Sequence, residues 1–305
     1  MAKDDLRTLV SKTYQYTLSS LQMALKSDGS KKKCWILVEG KADYDCYRKV
    51  FKGKDALVAQ AGYVNKLGEI KGGNGIVKEI VQVILNDGVT NGIIGIVDAD
   101  YTSFMQPPRS CPSHIFQTDK RDLEMTLWSI PEISSAMISK LSTEPTQPNR
   151  KLSEEKLDKC KEICSYMGSI HISHAWHGYV GRYEFLNSLY WDMKTHVFKT
   201  DWKCNIFQSY QKGRADLGVV YTQENLDESN LKCDVEHLDF CTISRGHDFL
   251  SVLSNAMIAT AIYTEASLIQ SMISYCSIEN FSTTNLWHSI EQWQNANGYE
   301  VAILS

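Results

Sequence analysis

The sequence predicts an α/β domain built on a parallel sheet, followed by a mainly helical domain. Three observations lead there. Short apolar runs over 33–39, 57–61, 92–97 and 114–117 alternate with helical patterns of ten or so residues, as βαβ units do. Two of these runs end abruptly in acidic residues, Glu39-Gly40 and Asp98-Ala99-Asp100. After Pro131 the strand signals thin out and long helical patterns rich in aromatics take over.

Each element has its own signal. Residues 4–27 carry apolar side chains at helical spacing, and Ser27-Asp28-Gly29-Ser30 breaks the pattern. The run at 33–39 reads as a buried strand. Residues 42–51 follow as a helix with Tyr44, Tyr47, Val50 and Phe51 on one side. After the strand at 57–61, Gly72-Gly73-Asn74-Gly75 opens a helix over 76–85, which Asn86-Asp87-Gly88 closes. A helix starts again at Asp122–Trp128. Farther on, helical patterns run through SEEKLDKCKEICSYMGSI, YEFLNSLYWDMKTHVF and HDFLSVLSNAMIATAIYTEASLIQSMISY. Polar Ser142–Asn149, with two prolines, places the boundary. The division is an N-terminal helix over 1–30, an α/β domain over 31–141 and a helical domain over 142–305.

Composition narrows the class. A chain of 305 residues with 43% hydrophobic and 22% charged residues has the make-up of a globular protein. The start, MAKDDLRTLV, has no apolar signal core, and no apolar run approaches the ~20 residues of a membrane span. The expectation is a cytoplasmic protein with no membrane partner, its nine cysteines mostly free thiols. Net charge is −4 but uneven. Residues 1–140 carry 19 Lys+Arg against 16 Asp+Glu; residues 141–305 carry 13 against 20. The mildly basic first half leaves a polyanionic partner open.

The acids at the strand tips carry the chemistry. Asp98 and Asp100 share a face if the backbone stays extended. Parallel strands deliver their C-terminal tips to one edge, so Glu39 comes within reach of that pair. Clustered carboxylates repel unless a cation neutralises them, and all-oxygen ligands suit Mg²⁺ or Mn²⁺. Taken singly, a Glu-Gly is often a turn and an Asp-x-Asp a cap; together, each after an apolar strand, they point to a site.

At these residues the chain resembles the Toprim family, whose signature is a Glu-Gly after the first strand and an Asp-x-Asp after the third. VEGKADYDCY, GGNGIVKEI, GIVDADY, TDKRDLEM and the later SRGHDF are similar to the Toprim nuclease effectors of bacterial anti-phage defence, relatives of the overcoming-lysogenization-defect nucleases. The resemblance covers about residues 30–130. It implies a metal-dependent endonuclease with Glu39 as general acid/base or metal ligand and Asp98 and Asp100 as metal ligands. Glu124 of TDKRDLEM, or alternatively Asp122, would serve a second ion. Two ions about 3.5–4 Å apart stabilise attacking and leaving oxygens together. It further implies an ABC-type or AAA ATPase sensor partner, release as a homodimer, and a nucleic-acid substrate, tRNA favoured over DNA. Read from the residues alone, Asp122 is equally an N-cap and Glu124 a first-turn acid.

Cations near these acids are candidates for substrate charge: Lys41 and Lys120 as catalytic residues with Glu39, and Lys71, Arg121 and His247 of Arg245-Gly246-His247-Asp248 for substrate binding. The glycine cluster at 72–75 lacks the Lys-Ser/Thr of a P-loop, which argues against nucleotide hydrolysis. Cys233, His237 and Cys241, and likewise His171, His174 and His177, fall at regular spacing without a fourth zinc ligand. No nucleophile turn is present. Trp176, Tyr179, Tyr183, Phe185, Tyr190, Trp191, Phe198 and Trp202 read at helical spacing as core or protein interface, with stacking on RNA bases as the alternative. The competing readings are a degenerate Toprim scaffold without activity, which has no use for clustered carboxylates, and a DNA-directed nuclease. A topoisomerase or primase needs a further domain for which there is little room.

Overall fold

A computed structural model describes residues 15–16, 21, 33–61, 63–64, 70–71, 74–88, 92–107, 111–143, 151–179, 183–257 and 263–304. They form two compact units. The first comprises Met1–Asp98, Cys111–Asp119 and Cys276–Ser305; the second comprises Ala99–Ser110 and Lys120–Tyr275.

In the first unit the strands are Gln15–Tyr16 (β1), Cys34–Val38 (β2), Ala56–Ala61 (β3), the short antiparallel pair Tyr63–Val64 (β4) and Ile70–Lys71 (β5), Ile93–Val97 (β6) and Ile115–Gln117 (β7). Five of them make one parallel sheet in the order β1-β3-β2-β6-β7. The central strands β2 and β6 are five apolar residues each, all buried. An unbroken apolar strand is what a sheet covered on both faces requires. Trp35 and Leu37 of β2 join one cluster with Val77, Ile80, Val81 and Ile84 of the helix Asn74–Asn86 (α2). Their alternates Cys34, Ile36 and Val38 point to the other face. The helix Lys41–Val50 (α1) connects β2 to β3 and buries Tyr44, Cys46, Tyr47 and Val50.

The helix expected over 4–27 lies mostly outside the described residues, and within it Gln15–Tyr16 is instead a strand paired with Gln60–Ala61. Sheet pairing prevails there over a helical pattern. The C-terminal segment is the larger correction. The helices Ile278–Phe281 and Asn285–Asn297 belong with the sheet and not with the helical unit. Phe51 stacks on Trp287, with ring centroids 5.7 Å apart, and Tyr47 meets Phe281 edge-on. Asp119 accepts the Asn285 and Leu286 N–H groups at 2.6 and 2.7 Å, holding the start of the last helix.

The second unit holds Leu123–Ser129 (α3), Pro131–Thr143 (α4), Glu154–Trp176 (α5), the hairpin Trp191–Asp192 (β8) and Val197–Phe198 (β9), and then Trp202–Ala215 (α6), Gln223–Lys232 (α7), Phe240–Ile243 (α8), Gly246–Ala256 (α9) and Glu265–Tyr275 (α10). The two C-terminal helices of the first unit complete the series as α11 and α12. The pattern YEFLNSLYWDMKTHVF is not a helix. Asp192 accepts the Lys194 N–H at 2.8 Å and His196 adopts φ 56°, so the chain turns back as a hairpin. A side chain that bonds its own backbone two residues on favours a turn over a helix. The long last pattern divides into α9 and α10. Among the described residues, no helix is long and apolar enough to cross a membrane.

Candidate active site

In the first unit the order in which strands are added reverses at β2. The chain moves outward from β2 to β3 and returns on the other side as β6. Such a switch point opens a crevice at the carboxyl ends of the two strands, where ligands bind in open α/β sheets. Glu39 follows β2 and Asp98 follows β6. The Asp98 N–H donates to Oε1 of Glu39 at 2.9 Å, so the two acids meet across the switch point. Gly40 opens α1 with its N–H donated to the Asp43 carboxylate at 2.9 Å, and a Cβ there would press to 3.0 Å from that oxygen. Gln60 Nε2 donates to the Glu39 carbonyl at 3.4 Å. Beneath lies Tyr47, fully buried, its phenol pushed up by burial and then by Asp43, Cys46, Asp98 and Glu39.

Asp100 belongs to the second unit. The extended backbone of β6 ends at Val97, and Asp100 takes φ 48°, so the alternation that would align it with Asp98 does not persist. Aspartate tolerates this left-handed conformation better than most residues. Its Oδ1 pairs with Arg121 at 2.6 Å, and its N–H donates to the Arg121 carbonyl at 3.0 Å. Arg121, expected to face substrate, is instead 8% exposed, with its guanidinium 3.9 Å over the Tyr101 ring. Burial opposes its charge, and Tyr101, Asp122 and Asp100 together hold its pKa up. Tyr101 is pushed up to about 12, by burial first, against the charge of Arg121. Tyr101 stacks in turn on His171, whose Nε2 lies 3.2 Å from Oδ2 of Asp248. A line of contacts thus runs from Asp100 to the first turn of α9.

Asp122 is a structural acid. Oδ1 accepts the Met125 N–H at 3.0 Å as the cap of α3, and Oδ2 accepts the Gly246 N–H at 2.7 Å. Burial raises its pKa, although Arg121 and these two N–H groups pull the other way. Glu124 stands in the first turn of α3, against Gly246. The cations expected at the site are otherwise engaged: Lys41 pairs with Asp45 one turn along α1, and Lys120 with Asp239 at 2.8 Å. Lys71 lies on β5, its side chain outside the described residues, as are Gly72 and Gly73. His247 is exposed, 3.6 Å from Glu265, which raises its pKa first, against burial.

Among the described residues, no group of three or more His, Cys, Asp or Glu side chains is disposed to hold a metal ion. The donor chemistry of Glu39 and Asp98 nonetheless suits Mg²⁺, which keeps several waters and takes one or two carboxylates from the protein. The histidines considered for zinc have other partners: His174 bonds Tyr210, His177 the Asn225 carbonyl, and His237 pairs with Asp234. Of the aromatics, Phe185, Tyr190, Trp191 and Trp202 are buried core. The residues that the sequence did not single out are Tyr101, His171 as the partner of Asp248, and Glu265, which tertiary contacts within the second unit connect to Arg121, Asp248 and His247.

No protein-family model matches this chain, and no curated protein matches its sequence.

Proposed function

We propose that the protein is a metal-dependent Toprim-type endonuclease that hydrolyses phosphodiester bonds in nucleic acid, RNA such as tRNA in particular. The single observation that supports this most is the hydrogen bond between Glu39 and the Asp98 backbone at the switch point of a parallel sheet. Its sequence resembles AriB, the nuclease effector of the PARIS anti-phage system. On that reading the nuclease is held by an ATPase sensor and acts after release.

Glu39 and Asp98 would hold Mg²⁺ or Mn²⁺ at the carboxyl edge of the sheet. The ion supplies charge neutralisation for the phosphate when bound. In the hydrolysis the oxygen of water bonds to phosphorus and the bond to the leaving oxygen breaks. Glu39, oriented at Oε1 by the Asp98 N–H, takes the proton of the attacking water on its carboxylate, and the leaving oxygen takes up a proton from solvent as Glu39 gives its own back.

The test incubates the purified protein, alone and with its ATPase, with Mg²⁺ or Mn²⁺ and either total RNA or plasmid DNA. Cleavage of RNA that Glu39→Ala reduces by at least a hundredfold is expected, since general acid–base groups contribute roughly 10²–10⁴. Full activity in Glu39→Ala would exclude this assignment.

A further inference from the structure

The second unit contains a half-open cavity of about 310 Å³ beside the first turn of α9. That volume lies at the small end of ligand pockets, which span about 300–1,000 Å³. Met167, Phe185 and Tyr190 form a buried apolar floor. The floor is fixed in place. The Tyr190 hydroxyl bonds Asn187 at 2.5 Å and accepts from Asn255 at 3.2 Å, and Phe185 packs edge-on against His171 and Tyr183.

Around that floor stand cations and carboxylates together. His247 pairs with Glu265, and Asp248 with His171. Arg245 and Glu184 also line the cavity, and neither makes an ion pair among the described residues. A purely anionic ligand would meet the acids unfavourably, and a purely cationic one the guanidinium. The lining calls for a ligand with adjacent hydrogen-bond donors for a carboxylate and adjacent acceptors for an arginine. Guanine has both: N1–H and the N2 amino group on one edge, O6 and N7 on another. The O6/N7 edge is the one arginine engages with two hydrogen bonds. Adenine, cytosine and uracil lack the paired donors.

We infer that this cavity binds a guanine nucleotide, with Glu184 accepting from N1–H and N2 and Arg245 donating to O6 and N7. Resting on the nuclease reading, the nucleotide is a guanosine swung out of the RNA substrate, as enzymes acting on nucleic acid take bases into shaped pockets. The cavity lies in the same unit as Glu124, whose side chain abuts Gly246, the residue between Arg245 and His247.

Calorimetry on the full-length Glu39→Ala protein in EDTA, titrated separately with guanosine, adenosine, cytidine and uridine 5′-monophosphates, tests this without any turnover. Guanosine monophosphate should bind roughly tenfold or more tighter than the others, the discrimination of one good two-bond pair. Glu184→Gln, at an exposed position, and Arg245→Ala should each weaken it by a similar factor. Equal affinity for all four nucleotides, no heat with guanosine monophosphate at millimolar concentration, or unchanged affinity in Glu184→Gln would overturn the assignment. Binding of acetyl-arginine amide in place of the nucleotide would also overturn it and make the cavity a protein-docking site. Guanosine monophosphate binding to the wild-type protein, with no cleavage of RNA or DNA when Mg²⁺ or Mn²⁺ and the ATPase are supplied, would instead sink the nuclease reading alone.

Discussion

Gly246 shows how closely the residues behind the acids are fitted. A Cβ at this position would lie 2.5 Å from Cβ of Glu124 and 2.6 Å from Oδ1 of Asp122. Elsewhere on a helix, glycine to alanine gains up to ~1 kcal/mol. Here we expect Gly246→Ala to destabilise by about 1–3 kcal/mol, the usual cost of overpacking. Urea unfolding gives the sign directly, and a stabilised variant would refute the close approach. Nearby, burial pushes the Asp248 carboxyl up, but the hydrogen bond and charge of His171, with Arg245 and Arg121, outweigh it and leave the pKa below 3.8. A depressed folded pKa contributes stability above the ordinary aspartate range, and that contribution is lost as pH falls through the folded value. Unfolding midpoints from pH 2 to 7 should therefore decline more steeply at the acid end for wild type than for Asp248→Asn. Parallel curves would mean the pair contributes nothing.

At the scale of elements, the sheet depends on a segment far away in sequence. Gly53 donates its N–H to the Val301 carbonyl at 2.9 Å, and Asp55 donates to the Glu300 carbonyl at 3.0 Å. Gln294, on α12, accepts the Val301 and Ala302 N–H groups at 2.7 Å each and donates to the Ala302 carbonyl at 2.9 Å. Val301 is fully buried. Removing residues 299–305 exposes that pocket and leaves buried Gln294 without partners. The loss should be about 3 kcal/mol or more, from roughly 1.5–3 for the valine and ~1–3 for the amide. Thermal unfolding of the truncated chain checks it; an unchanged midpoint would show the tail to be incidental. The same segment sets α1 in place through Phe281 and Trp287, and α1 begins directly after Glu39.

For the whole molecule, charge is the organising quantity. Residues 1–140 are net positive, whereas 141–305 carry 13 Lys+Arg against 20 Asp+Glu. An acidic surface does not attract a polyanion over its whole extent. Aromatic residues anchor protein interfaces well, and the acidic half is rich in them. On the proposed reading as a nuclease held by an ATPase, we expect the protein to form a homodimer in solution when free of that partner, doubling the surface available to a folded RNA. Light scattering on Glu39→Ala protein, with and without the ATPase, measures this. A strict monomer at micromolar concentration that also ignores the ATPase would rule it out.

The sequence by itself determined the βαβ order, the four strands read at 33–39, 57–61, 92–97 and 114–117 and found within a residue or so at 34–38, 56–61, 93–97 and 115–117, and the placing of Glu39 and Asp98 at the tips of two of them. These follow from local rules: an apolar run makes a buried strand, and an acid with glycine ends it. Asp122 as a helix cap was likewise legible, because capping is a contact between residues three apart. What tertiary structure alone decided is which acids and cations have partners. Arg121 reads as a surface cation in TDKRDLEM, but Asp100 and Tyr101 bury it; Lys120 is taken by Asp239. The return of 276–305 to the sheet was equally invisible, since an amphipathic helix shows that it has an apolar face and not which partner covers it. Pairing and packing between distant segments depend on where the chain brings them, and hydrophobic burial, being non-directional, leaves no mark of that address in the local pattern.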